Sequence, residues 1–131
     1  IAPVPDADWP ALDAREAAYI RAPAAHQVRH PLPHRHEIAV YTIPDGLHAS
    51  PSQAHPILLS YLDVVVQGYF REFGTAGVQR FFDTTHGWDT PLLDDRNSPR
   101  YPRHQSLTDE ERELTDRHLD LLGVSLLTSD R

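Results

Sequence analysis

The sequence predicts an α+β fold, because strand-like segments gather in its first half and strong helical patterns in its second, rather than alternating along the chain. Its 131 residues, 40% of them apolar, are enough for one globular domain and too few for two of ordinary size.

The elements follow in order. Residues 1–5 are apolar and proline-bounded, which suits the end of a strand. Asp8 is placed to cap a short helix over roughly 8–19, with Pro10 in its first turn and Leu12, Arg15, Glu16 and Tyr19 at helical spacing. The stretch from Ile20 to His30 is moderately strand-like. Glu37 to Ile43 alternates clearly, with Ile38, Val40 and Thr42 on one face and Ala39, Tyr41 and Ile43 on the other. His30-Pro31-Leu32-Pro33-His34 is a proline-stiffened link between them. Asp45-Gly46 marks a turn, and Ala49 to Ser52 reads as loop.

A long helix is expected from near His55-Pro56 to Gly74, and its apolar residues nearly encircle the axis, so burial on all sides is expected. Thr75 caps a shorter helix presenting Val78, Phe81 and Phe82. Residues 84–105, dense in Gly, Pro, Asp and Arg, read as a long ordered loop, fastened by salt bridges of Arg96, Arg100 and Arg103 with Asp94 and Asp95. Thr108-Asp109-Glu110-Glu111 is a capping box opening a last helix with Leu114, His118, Leu121 and Leu122 at core spacing.

Composition narrows the function classes. A formal charge of -7, with only 12 Lys and Arg, repels nucleic acid and anionic membranes. The absence of cysteine excludes disulfides, thiolate metal sites and a cysteine nucleophile, and suits a cytoplasmic protein. No apolar run approaches the ~20 residues of a membrane span. Ser50, Ser52 and Ser60 lack the glycine pattern of a serine-hydrolase elbow. Among nine histidines, His34 and His36 have H-x-H spacing, with His26 or Glu37 to complete a metal set, but Pro31 and Pro33 interrupt the strand such a site needs. A solvated loop is the expectation there. Glu16 alone reads in two ways: a carboxylate at the edge of an apolar pocket, raised in pKa and fit for acid/base work, or a surface glutamate paired with Arg15 or Arg21.

Leu12-Asp13-x-x-Glu16-x-x-Tyr19 resembles the L-D-x-x-E-x-x-Y signature of the γ-glutamylcyclotransferase-like superfamily. Two further fragments stand in the family's order: a strand carrying Tyr41, and Pro51-Ser52-Gln53-Ala54-His55 before a long helix, where the family has P-S-x-x-Y. Residues 84–105 resemble an elaboration of some bacterial members. The resemblance implies a small mixed β-barrel flanked by helices and a pocket for a γ-glutamyl substrate. It implies release of 5-oxoproline by intramolecular aminolysis, with Glu16 as general acid/base, Tyr19, Tyr41 and His55 as substrate-binding residues, and neither metal nor cofactor. His55 departs from the family's third tyrosine. The family's Y-G-S-x loop, whose amides bind the oxyanion, precedes the glutamate and has no counterpart in these 131 residues. The chain starts at Ile1 and has no methionine, so the loop is expected either upstream, in a missing N-terminal part, or lost in a non-catalytic binding module.

Overall fold

The computed structural model describes residues 2–31, 33–34, 36–46 and 51–128. They fall into two compact units, Ile1–Ser50 and Pro51–Arg131. The chain is mixed α+β, with three α-helices and two small sheets, and neither sheet closes into a barrel among the described residues.

The first unit does not begin with the expected strand end. Pro3 and Pro5 cannot donate to a ladder, and Pro5–Ala7 forms a 3₁₀ turn instead, in which the Asp8 amide donates to the Pro5 carbonyl at 3.0 Å. Asp8 then caps α1 (Trp9–Arg15), its carboxylate accepting from the Ala11 amide at 3.1 Å. This helix stops four residues short of the expected end. The Glu16 amide makes the last helical bond, to the Leu12 carbonyl at 2.9 Å, and the Tyr19 amide turns back to the Glu16 carbonyl at 2.8 Å. Pairing of the next segment decides the boundary: β1 (Ile20–Pro23) lies antiparallel to β2 (Ala39–Thr42), with Ile20 opposite Thr42 and Arg21 opposite Tyr41, so the chain must already be extended at Ile20. In β2 the expected alternation holds, Ala39 and Tyr41 being half-buried and Val40 and Thr42 exposed. Asp45-Gly46 forms the turn, with Gly46 at φ +78°. Of the loop expected over Ala49 to Ser52, Ala49 and Ser50 lie outside the described residues.

In the second unit, strands and helices do alternate, which the sequence pattern missed. β3 (Ile57–Leu58), β4 (Leu92–Asp94) and β5 (Leu126–Thr128) form a parallel sheet in that order, joined through α2 (Leu59–Thr84) and α3 (Asp109–Leu121). Strands of two or three residues are too short to show a period of two. They also move neighbouring boundaries: α2 starts after the β3 ladder rather than at Pro56, and β4 interrupts the loop expected over 84–105.

Gly74 breaks α2 at φ +64°, ψ -167°, a backbone region essentially closed to other residues, so the helical runs 59–73 and 75–84 change direction where the sequence placed a stop. Only one side of α2 is buried, however. Leu59, Leu62, Val66, Val78 and Phe82 join Leu92, Leu114 and Leu119 in the core, whereas Tyr61, Tyr69 and Phe73 face outward. Aromatic contact substitutes for burial there, with the Tyr69 ring 5.0 Å from Phe81 and 5.9 Å from Phe73. The α3 capping box forms as read: Thr108 Oγ1 accepts from the Glu111 amide at 3.2 Å and Glu111 Oε2 from the Thr108 amide at 2.9 Å. Leu114 and His118 are buried as their spacing predicts, but Leu121 and Leu122 are 77% and 45% exposed, and Leu119 joins the core instead. Among the described residues, no helix is long and apolar enough to cross a membrane.

Candidate active site

In the first unit one carboxylate that the sequence left without a role, Asp13, meets Tyr41 and Arg21. Asp13, on the last turn of α1, accepts from the Tyr41 hydroxyl at 2.5 Å through Oδ1, and the same oxygen forms an ion pair with Arg21 Nε at 3.1 Å. Strand register makes this possible, because Arg21 and Tyr41 are cross-strand partners and α1 runs into β1 by a single turn. Arg21 is held from other sides as well. Its guanidinium lies 4.5 Å from the centre of the Trp9 ring, and its Nη1 is 3.6 Å from Glu37 Oε1.

Partial burial first, then the bond to Asp13 and its negative charge, hold the Tyr41 hydroxyl above its ordinary pKa; Glu16 adds to the rise and Arg21 opposes it. Tyr41 is therefore a neutral donor with its proton committed to Asp13, and what it offers a ligand is its oxygen lone pairs.

Glu16 sits just past the end of α1 and is half-buried, its Oε1 accepting from Arg15 Nε at 2.9 Å. This is the local ion pair, one of the two readings its sequence allowed. Tyr19 is linked to it through the backbone turn and is 44% exposed. The structure thus brings Glu16, Tyr19 and Tyr41 into one unit. His55 belongs to the other, in an exposed turn where its amide donates to the Ser52 carbonyl at 3.0 Å and lies 3.2 Å from Ser52 Oγ.

The histidine-rich link holds a ring contact, His30 to His36 at 5.8 Å, and among the described residues no group of three or more His, Asp or Glu is placed to hold a metal ion. The expected salt bridging of Arg96 does occur, but to other partners. Its Nε and Nη2 form a fork on Asp63 at 2.8 and 2.7 Å, and Nη1 reaches Asp116 at 2.6 Å. Burial opposes this charge, but Asp63 and then Asp116 outweigh it and hold the guanidinium pKa above its ordinary value. Asp95 turns inward, 2% exposed, and accepts from the Ser60 amide at 2.8 Å, the Ser60 hydroxyl at 2.6 Å and the Arg100 amide at 2.8 Å. Burial would raise its pKa, yet these bonds bring it below the ordinary range.

Sequence reasoning gave Asp13 no role, offered Arg21 to Glu16 and Asp95 to the neighbouring arginines, and missed Asp63. For Asp13 and Arg21 a signal existed, since a strand pairing that sets Arg21 beside Tyr41 leaves a cation needing a counter-charge. Comparison with protein-family models, with curated proteins and with solved structures finds no match to this chain.

Proposed function

We propose that the protein is a γ-glutamylcyclotransferase-like enzyme that releases 5-oxoproline from a γ-glutamyl amide or peptide. The observation that supports this reading best is the bond from Tyr41 to Asp13, which ties the tyrosine-bearing strand to the L-D-x-x-E-x-x-Y segment just ahead of Glu16.

In this reading the substrate ammonium displaces Arg15 from Glu16, a small loss because Arg15 is largely exposed. Glu16 takes a proton from that ammonium, and the freed amine attacks the γ-carbonyl of the same molecule. The new C–N bond closes the five-membered ring. Attack leaves two hydrogens on the now cationic ring nitrogen. With the first proton released to solvent, Glu16 takes the second from that nitrogen and delivers it to the departing nitrogen as the original C–N bond breaks, so the lactam and the free amine leave and the carboxylate is unchanged at the end. Tyr41, its proton held by Asp13, accepts a hydrogen bond from the substrate ammonium and sets the approach of the amine. The barrel, the oxyanion loop and a binding role for His55 are parts of the same proposal.

A second reading, a binding module of the same fold without turnover, is favoured by the Arg15–Glu16 pair, since it occupies the carboxylate that turnover would need. The test is formation of 5-oxoproline from γ-glutamyl dipeptides and amines by the full gene product. Catalysis is expected to disappear in Glu16→Gln with the circular dichroism spectrum unchanged. Undiminished turnover in that variant sinks the mechanism; substrate binding without any 5-oxoproline from the parent establishes the binding module.

A further inference from the structure

The second unit contains a cavity of about 480 Å³ between the C-terminal end of α2 and the end of α3. Phe82, Trp88 and His118 contribute to its wall, and their rings form a continuous stack: His118 lies on Phe82 at 4.5 Å and 14°, and Phe82 on Trp88 at 5.0 Å and 27°. His118 Nε2, the one nitrogen of this stack able to accept, is buried and meets no hydrogen-bond partner among the described residues; Trp88 Nε1 is unpaired too, but it is a donor and an ammonium ligand leaves it so. Folded proteins leave few such groups unpaired, because each costs about 1–3 kcal/mol.

The hydrogen-bond pattern fixes what His118 presents. Its Nδ1 is 2.8 Å from the Leu114 carbonyl oxygen, which can only accept, so Nδ1 carries the proton of the neutral ring and Nε2 is an acceptor. With the ring only 7% exposed and stacked on Phe82, turning to another partner would break both contacts. Charge adds a second constraint. The cavity is lined by one carboxylate, Asp83, and by no lysine or arginine, and Gln79 Nε2 holds Asp83 by Oδ1 at 2.8 Å, leaving Oδ2 as a second acceptor. At the rim, Leu121 is an apolar side chain 77% exposed.

We propose that this cavity binds a small primary ammonium ion carrying an apolar body. Its N–H donors go to Asp83 and His118 Nε2, its positive charge is favoured by the aromatic wall, and its hydrocarbon covers Leu121. A carboxylate ligand is disfavoured by Asp83, and a neutral alcohol lacks the charge that Asp83 selects. The site lies wholly within the second unit and does not depend on the γ-glutamyl reading.

The test uses the whole protein and n-butylammonium, with n-butanol and butyrate as controls at constant ionic strength. The chain has two tryptophans, and their indole N–H resonances report separately on Trp88 and Trp9. Saturable movement of the Trp88 resonance with n-butylammonium alone is expected, with Trp9 still. Asp83→Asn, at an exposed position, should weaken the response about fivefold or more, the scale of an ion pair worth ~1 kcal/mol. No saturable response, equal response to n-butanol, or full affinity in Asp83→Asn overturns the proposal.

Discussion

Replacing Asp95 by asparagine tests what holds the second unit together, because the change keeps the shape of the side chain and alters only its charge and one acceptor. Asp95 Oδ1 receives the Ser60 amide, and Oδ2 receives both the Ser60 hydroxyl and the Arg100 amide. An asparagine can keep its carbonyl toward the Ser60 amide, but its NH₂ then meets the Arg100 N–H, donor against donor. The Ser60 hydroxyl can rotate to accept, so its bond is exchanged rather than lost. What disappears is one buried charge-assisted bond, what weakens is another, and what remains is an amide facing the wrong group. Hydrogen bonds to charged groups contribute about 1.5–3 kcal/mol each, and an unsatisfied buried donor costs about 1–3 kcal/mol. A net destabilisation of about 3 kcal/mol follows, since part of the second penalty is relieved by small backbone movement. For a unit of this size that is a fall in Tm of roughly 10–25 °C. Circular dichroism at the helical band reads it, because α2 and α3 hold 26 and 13 helical residues against 7 in α1. Ser60→Ala, which removes the hydroxyl donor and the acceptor of the Tyr101 amide but leaves Asp95 its two amides, should cost about 2 kcal/mol. An Asp95→Asn melt within about 3 °C of the parent refutes the reasoning.

Two further perturbations follow. Gly77→Ala should destabilise the unit by about 1–3 kcal/mol in chemical denaturation, although alanine is the better helix former by about 1 kcal/mol: a Cβ at Gly77 would lie 2.3 Å from the Cβ of Phe73, an atom fixed to the backbone. A gain in stability there would show that the bend at Gly74 yields freely. Acid should unfold the second unit through Asp95 and Glu111, whose folded pKa values both lie below their ordinary ones. For Glu111, burial pushes the value up, but bonds from Gln67, the Thr108 amide and Arg71 prevail. A carboxyl depressed in the folded state contributes stability that is complete above its unfolded value, near 4, and is lost as pH falls through the folded value. The melting temperature should therefore hold between about pH 7 and 5 and fall below about pH 4, less steeply in Asp95→Asn; an identical slope in that variant removes Asp95 from the cause.

Caps and turns, set by residues a few positions apart, are legible in the sequence, and pairings across long separations are not. Thr108 and Glu111 lie within one helical turn, so a capping box can be read without knowing the fold. Gly74 and the Asp45-Gly46 turn announce themselves by residues that tolerate positive φ. Ser60 and Asp95 are 35 positions apart, and Asp63 and Arg96 are 33; only the parallel ladder of Ile57-Leu58 with Leu92-Leu93 brings them together. Two-residue strands leave no periodic trace, so nothing before the structure could pair Asp95 with Ser60 rather than with a neighbouring arginine. Long-range pairing also sets the end of α1. Glu16 and Tyr19 have helical spacing, yet strand pairing at Ile20 took precedence over it.

That override bears on the candidate active site. A helix continuing to Tyr19 would put Glu16 mid-helix, with its direction set by the helix itself. Ending at Arg15 instead places Glu16 on a turn between α1 and a two-stranded ribbon, an arrangement of marginal stability on its own. Catalysis by a single carboxylate requires that its position be fixed to a fraction of an ångström. In the first unit, the contacts that fix the turn are those made to its two ends: Asp13 to Tyr41 and Arg21 across the ribbon, and Trp9 against the Arg21 guanidinium. In the proposed reaction Asp13 is given no acid/base step; its Oδ1 holds the Tyr41 hydroxyl and pairs with Arg21. In that proposal its part would be positioning: Asp13 ties the last helical turn to the strand bearing Tyr41, while the next residues turn away.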